Sequence, residues 1–248
     1  MTFEPYSFLM IASIMLALVL SGSVKGVFGI GFPVVAMAIL PLFITPISAI
    51  TVIALPIVVT NIQQLFSEKE WRRIIIKYRY MALFMLLASF LSSQILTQIS
   101  VDLITAIIGF ALALFAIYSL FNFTLPITTH SSWQIIAGAS SGLLSGMTGI
   151  QSTAIIYFAS LDISRNEFVG AVGYIFLVGG LGLSIGLINN SLLNSSTVMI
   201  SLFGVLFSVV GFKLGSLLRP YIHSELFKKL LFLLMLIIGM KQIYQFFA

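Results

Sequence analysis

Ser21-Gly-Ser-Val-Lys-Gly-Val-Phe-Gly-Ile30 returns 120 residues later as Ser141-Gly-Leu-Leu-Ser-Gly-Met-Thr-Gly-Ile150, with Ser, Gly, Gly, Gly and Ile at the same places. Such residues do the chemistry of binding rather than of bond breaking. Ser21, Ser23, Ser141, Ser145, Thr148, Gln151, Ser152 and Thr153 supply neutral hydrogen-bond donors that could replace the water shell of a small oxyanion. Gly22, Gly26, Gly29 and Gly31, with Gly142, Gly146 and Gly149, would let the backbone unwind near the membrane midplane, so that freed N–H groups and half-helix N-termini face an anion. The competing explanation is close helix packing, which small residues also serve. Lys25 is the only charge between Glu4 and Glu68, and it sits inside the first copy. It could pair with an anionic substrate, or its stem could carry the ammonium to an interface.

Other chemistries lack their parts. The seven acids, Glu4, Glu68, Glu70, Asp102, Asp162, Glu167 and Glu225, fall near span ends or in loops, as do His130 and His223. A proton relay would need a carboxylate at mid-membrane. No base accompanies a buried serine, and cysteine is absent, so neither nucleophilic catalysis nor a thiolate metal site is expected. We expect no catalytic residue, no cofactor and no metal.

The elements that hold these residues are membrane spans. The chain is 60% hydrophobic and 8% charged, and stretches 26–67, 103–161 and 168–212 carry no Asp, Glu, Lys or Arg. A water-soluble surface cannot be made from that, whereas runs of about 20 apolar residues cross a bilayer. The net charge of +5 comes from Lys and Arg at span ends, where the partner is anionic lipid rather than nucleic acid. Lys213 is expected to snorkel. The N-terminal stretch lacks a basic region and a cleavage site and reads as a retained span.

Turn residues and charges divide the apolar sequence into ten segments, near 6–22, 27–44, 46–66, 79–99, 101–122, 132–147, 149–160, 166–188, 196–218 and 224–246. Trp71 and Trp133 fall at interfaces, Pro33 starts a helix, Pro56 kinks one, Asn61 and Gln63 are polar intrusions, and Asn166 with Glu167 opens the eighth segment as a cap. Segments 27–44 and 149–160 are short or Gly-rich at their starts and read as half-helices. Loop 67–79 carries Lys69, Arg72, Arg73, Lys77 and Arg79, whereas its counterpart 189–195 has no charge. Loop 97–102 has only Asp102, whereas 219–229 has Arg219, Lys228 and Lys229. Equivalent loops therefore fall on opposite sides of the membrane. The expectation is an all-α polytopic membrane protein of two inverted-topology repeats, 1–125 and 126–248, each of about five hydrophobic segments with broken or re-entrant Gly-rich helices. Both termini then lie outside.

Gly26-Val-Phe-Gly-Ile-Gly-Phe-Pro33, followed by Pro41-Leu42 and Ala49-x-Thr51, resembles the first signature of the TauE/SafE sulfite-exporter family. Gly142-Leu-Leu-Ser-Gly-Met-Thr-Gly-Ile150 resembles its second-half counterpart. The resemblance covers nearly the whole chain. It implies a carrier of small anions such as sulfite, sulfonates or sulfoacetate, with the two glycine signatures as the site, in a bacterial inner membrane. Where relatives often have a run of glycines, this chain has Gln151-Ser152-Thr153 after Ile150 and Phe32-Pro33 after Gly31. A coupling ion, H+ or Na+, and a homo-oligomer are left open. The alternatives are a non-transporting membrane scaffold or assembly subunit and, less favoured, an intramembrane enzyme.

Overall fold

The structure is a computed structural model describing residues 8–121, 125–218, 221 and 224–247. Glu4, Arg219 and His223 lie outside the described residues. Every regular element described is helical: α1 (Phe8–Phe28), α2 (Phe32–Ile39, followed by a 3-10 turn Leu40–Leu42), α3 (Pro46–Phe66), α4 (Trp71–Lys77), α5 (Arg79–Gln94), α6 (Val101–Phe121), α7 (Ser131–Thr148), α8 (Ser152–Ala159), α9 (Arg165–Asn189), α10 (Ser195–Leu218) and α11 (Ser224–Phe247). Six of them are long and apolar enough to cross a membrane, or seven if α4 and α5, bent by 72° at their junction, form one broken span. At 1.5 Å per residue, the 21 residues of α1 reach about 31 Å, whereas the eight of α2 and of α8 reach only about 12 Å each.

Packing directions follow from where the glycines touch. A side chain on Gly22 or Gly26 would run into the backbone of α10 at Ser208 and at Phe212, so α1 and α10 lie together in parallel. Gly142 and Gly146 approach the α5 backbone at Met85 and Ser89, so α7 and α5 are parallel as well. Gly173 sits on Gln64 and Leu65, and Gly180 on Ile57 and Val58, which makes α3 and α9 antiparallel. Gly109 lies on Gly239 and Gln242, and the Phe115 and Phe232 ring centroids are 5.6 Å apart, so α6 and α11 are antiparallel. Small residues allow these approaches, and interhelical packing rather than a water-driven effect holds spans together in lipid.

Polar side chains repair the backbone where helices are interrupted. Pro56 lies inside α3 and has no N–H to give to the Val52 carbonyl. Ser201 of α10 supplies the missing donor, its Oγ lying 3.0 Å from Val52 O and accepting from Leu55 N at 3.2 Å. At the α4–α5 bend, Gln134 of α7 donates to Lys77 O at 3.0 Å and accepts from Met81 N at 3.5 Å.

Several sequence expectations change. The first segment does not stop at 22: α1 continues helically through Gly22 and Gly26 to Phe28, and the second element starts at Phe32 rather than 27. The basic loop 67–79 contains a helix, α4. The cap of α9 is Ser164, whose Oγ accepts from Glu167 N at 3.2 Å, rather than Asn166 or Glu167. The Glu167 carboxylate accepts instead from Lys77 Nζ and from Tyr78 OH at 2.8 Å, tying the bent span to α9. Lys213 is exposed near the end of α10.

Candidate functional site

The two signatures end their helices in the same way. Gly29 has φ +80 and its N–H bonds Lys25 O at 2.7 Å; Gly149 has φ +72 and its N–H bonds Ser145 O at 2.7 Å. Only the residues just beyond are unwound. Gly31, with φ +101, leads into α2, while Gln151 leads into α8 with φ −123. A residue with a side chain fits at 151 because the backbone there is not left-handed, as it is at Gly31. Gly22, Gly26, Gly142 and Gly146 are helical and serve close packing.

Each break rests on the third helix of the other half. A Cβ on Gly29 would meet Val169 in the second turn of α9 at 3.5 Å, and one on Gly149 would meet Ile53 of α3 at 2.7 Å. Ile53 lies near the middle of α3, whereas Val169 lies near the start of α9, so the breaks sit at different depths.

Around the first break the hydroxyls are consumed locally. Ser21 Oγ donates to Ala17 O at 2.6 Å and Ser23 Oγ to Val19 O at 2.8 Å, both within α1. Lys25 is different. It is 2% exposed, and its ammonium donates to Asn61 Oδ1 at 2.7 Å and Thr60 Oγ1 at 3.1 Å, both on α3. Thr60 in turn donates to Pro56 O at 2.7 Å and Asn61 Nδ2 to Ile57 O at 2.7 Å. Both acceptors are neutral, and the ion pairs among the described residues, Arg73–Glu70 and Lys77–Glu167, do not involve Lys25. Asn61 stood out in the sequence as polar in an apolar run, but nothing in a 36-residue separation pointed to Lys25.

Around the second break the polar groups are left over. Thr148 Oγ1 donates to Leu144 O at 2.6 Å and accepts from Ile150 N at 3.0 Å. Gln151 Nε2 donates to Ser145 Oγ at 3.1 Å and to Phe176 O of α9 at 3.5 Å. Gln151 Oε1, Ser152 Oγ, Thr153 Oγ1 and, about two turns before the end of α7, Ser141 Oγ are buried with no hydrogen-bond partner. Gln151, Ser152 and Ser141 are wholly buried. Native interiors leave few such groups unpaired, and three of those here, on Gln151, Ser152 and Thr153, stand together at the start of α8.

A separate cavity of about 680 Å³ opens at the α3–α4 and α9 ends, lined by charged groups that include Lys69, Arg73, Lys77 and Glu167. Among the described residues no group of three or more His, Asp or Glu could hold a metal ion.

Long apolar helices, two short buried ones and polar groups gathered at the breaks define a polytopic integral membrane protein with an internal polar site. No curated protein and no solved structure matches the chain. Residues 14–242 match the family Sulfite exporter TauE/SafE, and the chain belongs to that family of membrane transporters.

Proposed function

We propose that this protein is a secondary transporter of a small oxyanion of the sulfite, sulfonate or sulfoacetate kind, working by alternating access around the two broken hairpins. The observation that carries the reading is Lys25, whose amine is 2% exposed and bonded only to neutral oxygens. A buried cation without a counter-charge is costly in a medium of low dielectric, and an arriving anion offsets that cost. The α8 start supports the same chemistry from the other half, because its first N–H groups and the Ser152 and Thr153 hydroxyls are donors. Ser21, Ser23 and the packing glycines then act by positioning, while Lys25, Gly29, Gly31, Gly149, Gln151 and Ser152 border the path.

The same reading makes 1–125 and 126–248 inverted repeats. In support, the counterpart pairs α3/α9 and α6/α11 run antiparallel, and the exchanged pairs α1/α10 and α7/α5 run parallel. A repeat related by an axis along the membrane normal would make its counterparts parallel. On this reading the basic loop 67–79 faces the cytoplasm and both termini lie outside, in a bacterial inner membrane; the Lys and Arg content of that loop supports it. Because no carboxylate among the described residues pairs with Lys25, movement down the substrate gradient is the coupling that fits best.

The test is uptake of labelled sulfite by proteoliposomes containing the full chain. Wild type should transport, and Lys25→Met should lose at least about tenfold in rate while remaining folded by thermal melting, with a stability loss of about 1–3 kcal/mol because Asn61 Oδ1 is left without its donor. No uptake by wild type, or undiminished uptake by the variant, would overturn the reading.

A further inference from the structure

The geometry points to a substrate that is both an anion and a hydrogen-bond donor, its N–H or O–H received by Gln151 Oε1 at the start of α8. The inference rests on the anion-transport reading and adds to it which anions are selected. Gln151 is wholly buried, and both bonds of its carboxamide are made through Nε2, to Ser145 Oγ at 3.1 Å and Phe176 O at 3.5 Å. The Phe176 carbonyl fixes the orientation of the amide, because turning it over would set two oxygens against each other. Oε1 therefore faces away from α9 and finds no partner.

The neighbouring groups are of the opposite kind. Ser152 Oγ and Thr153 Oγ1, also unpartnered, are hydroxyls that can donate, and the first backbone N–H groups of the eight-residue α8 have no helical acceptor. Together they suit an oxyanion. Gln151 Oε1 does not: an amide oxygen can only accept, and beside a fully deprotonated oxyanion it would remain unpaired and repelled. An anion bearing one donor group satisfies all of them at once. A site that holds a buried acceptor discriminates sharply against an analogue lacking the matching donor. At the first break Gly31 stands where Gln151 does and carries no side chain; the unpartnered acceptor nearest it, Gln64 Oε1, belongs to α3, and its amide is held by Nε2 donating to Val169 O at 2.8 Å.

Sulfamate and methanesulfonate make the comparison directly. They are monoanions of similar size, one ending in NH2 and the other in CH3. Binding of each to the purified full chain is measured by calorimetry at one pH. Sulfamate should bind at least about tenfold more tightly than methanesulfonate to wild type, from one extra satisfied hydrogen bond. In Gln151→Leu that ratio should fall to about one. Equal affinities in wild type overturn the inference whether or not the variant folds, and so does a ratio that survives in a folded Gln151→Leu. If neither anion binds wild type, the anion-transport reading falls, and this inference with it. Thermal stabilisation by sodium chloride but not by choline chloride, lost in Gln151→Leu, would assign Oε1 to a cation and also overturn it.

Discussion

Alanine at Gly29 and at Gly149 separates two reasons for a glycine. Both have positive φ, which costs an L-residue about 1–2 kcal/mol. At Gly29 the nearest atom to a new methyl is Val169 Cγ2 at 3.5 Å, an ordinary contact, so Gly29→Ala should lose about 1 kcal/mol from the backbone alone. At Gly149 the methyl would also meet Ile53 Cδ1 at 2.7 Å, so Gly149→Ala should cost more. Ile53→Val removes that carbon, and in its background the two glycines should become equally expensive to replace. Unfolding in detergent, followed as a double-mutant cycle, checks it; equal costs in the wild-type background would show that the overlap relaxes freely. Lys25 belongs at this scale too. Its isolation in the sequence left a buried site and snorkelling equally open, and its bonds to Thr60 and Asn61 come from a helix that the chain reaches only after a complete hairpin.

At the scale of the element, α3 is continuous despite Pro56 because α10 completes it. Ser201→Ala leaves the Val52 carbonyl and Leu55 N–H without that partner and should destabilise by about 1 kcal/mol. Pro56→Ala restores a main-chain donor to Val52 O, so the loss from Ser201→Ala should shrink in that background. An unchanged loss would mean that Ser201 acts through packing alone. The long helices were legible from their apolar runs and Pro or polar boundaries, as was the shortness of α2 and α8. The end of α1 was misread, as was the unwinding expected at Gly142 and Gly146 inside α7. Glycines at 22, 26, 142 and 146 weaken an isolated helix, yet against α10 and α5 they allow backbones to touch, and tertiary packing prevails over propensity. Helix α4 was hidden for a related reason: Lys69, Arg72 and Arg73 read as a loop, while Ile74 is buried and Trp71 packs on Phe66 at 5.0 Å. The unpartnered atoms of Gln151, Ser152 and Thr153 were not legible at all, since sequence shows polarity but not who is bonded.

For the whole molecule, the proposed orientation is testable with one engineered thiol at a time, because the chain has no cysteine. Lys69 and Ser195 are exposed near opposite ends of the bundle. An impermeant maleimide should label Ser195→Cys in intact cells and Lys69→Cys only in inverted vesicles. The reverse pattern would turn the protein over and place the basic loop outside. Labelling of both from one side would end the description by inverted repeats.

Helix α2 has a bearing on how such a chain is made. From Phe32 to Ala38 every residue is buried, and the helix is too short to cross a bilayer. Its neighbours include α1, α3 and α6, and also α11, the last helix described. Lipid cannot bond the ends of a half-length helix, so α2 has no settled place until protein surrounds it. One wall of that enclosure is synthesised some 190 residues after α2 itself. The amino-terminal half therefore reaches its final form only when the ribosome has finished the carboxy-terminal helix, and a nascent chain stopped after α10 would carry an unfinished hairpin into the membrane.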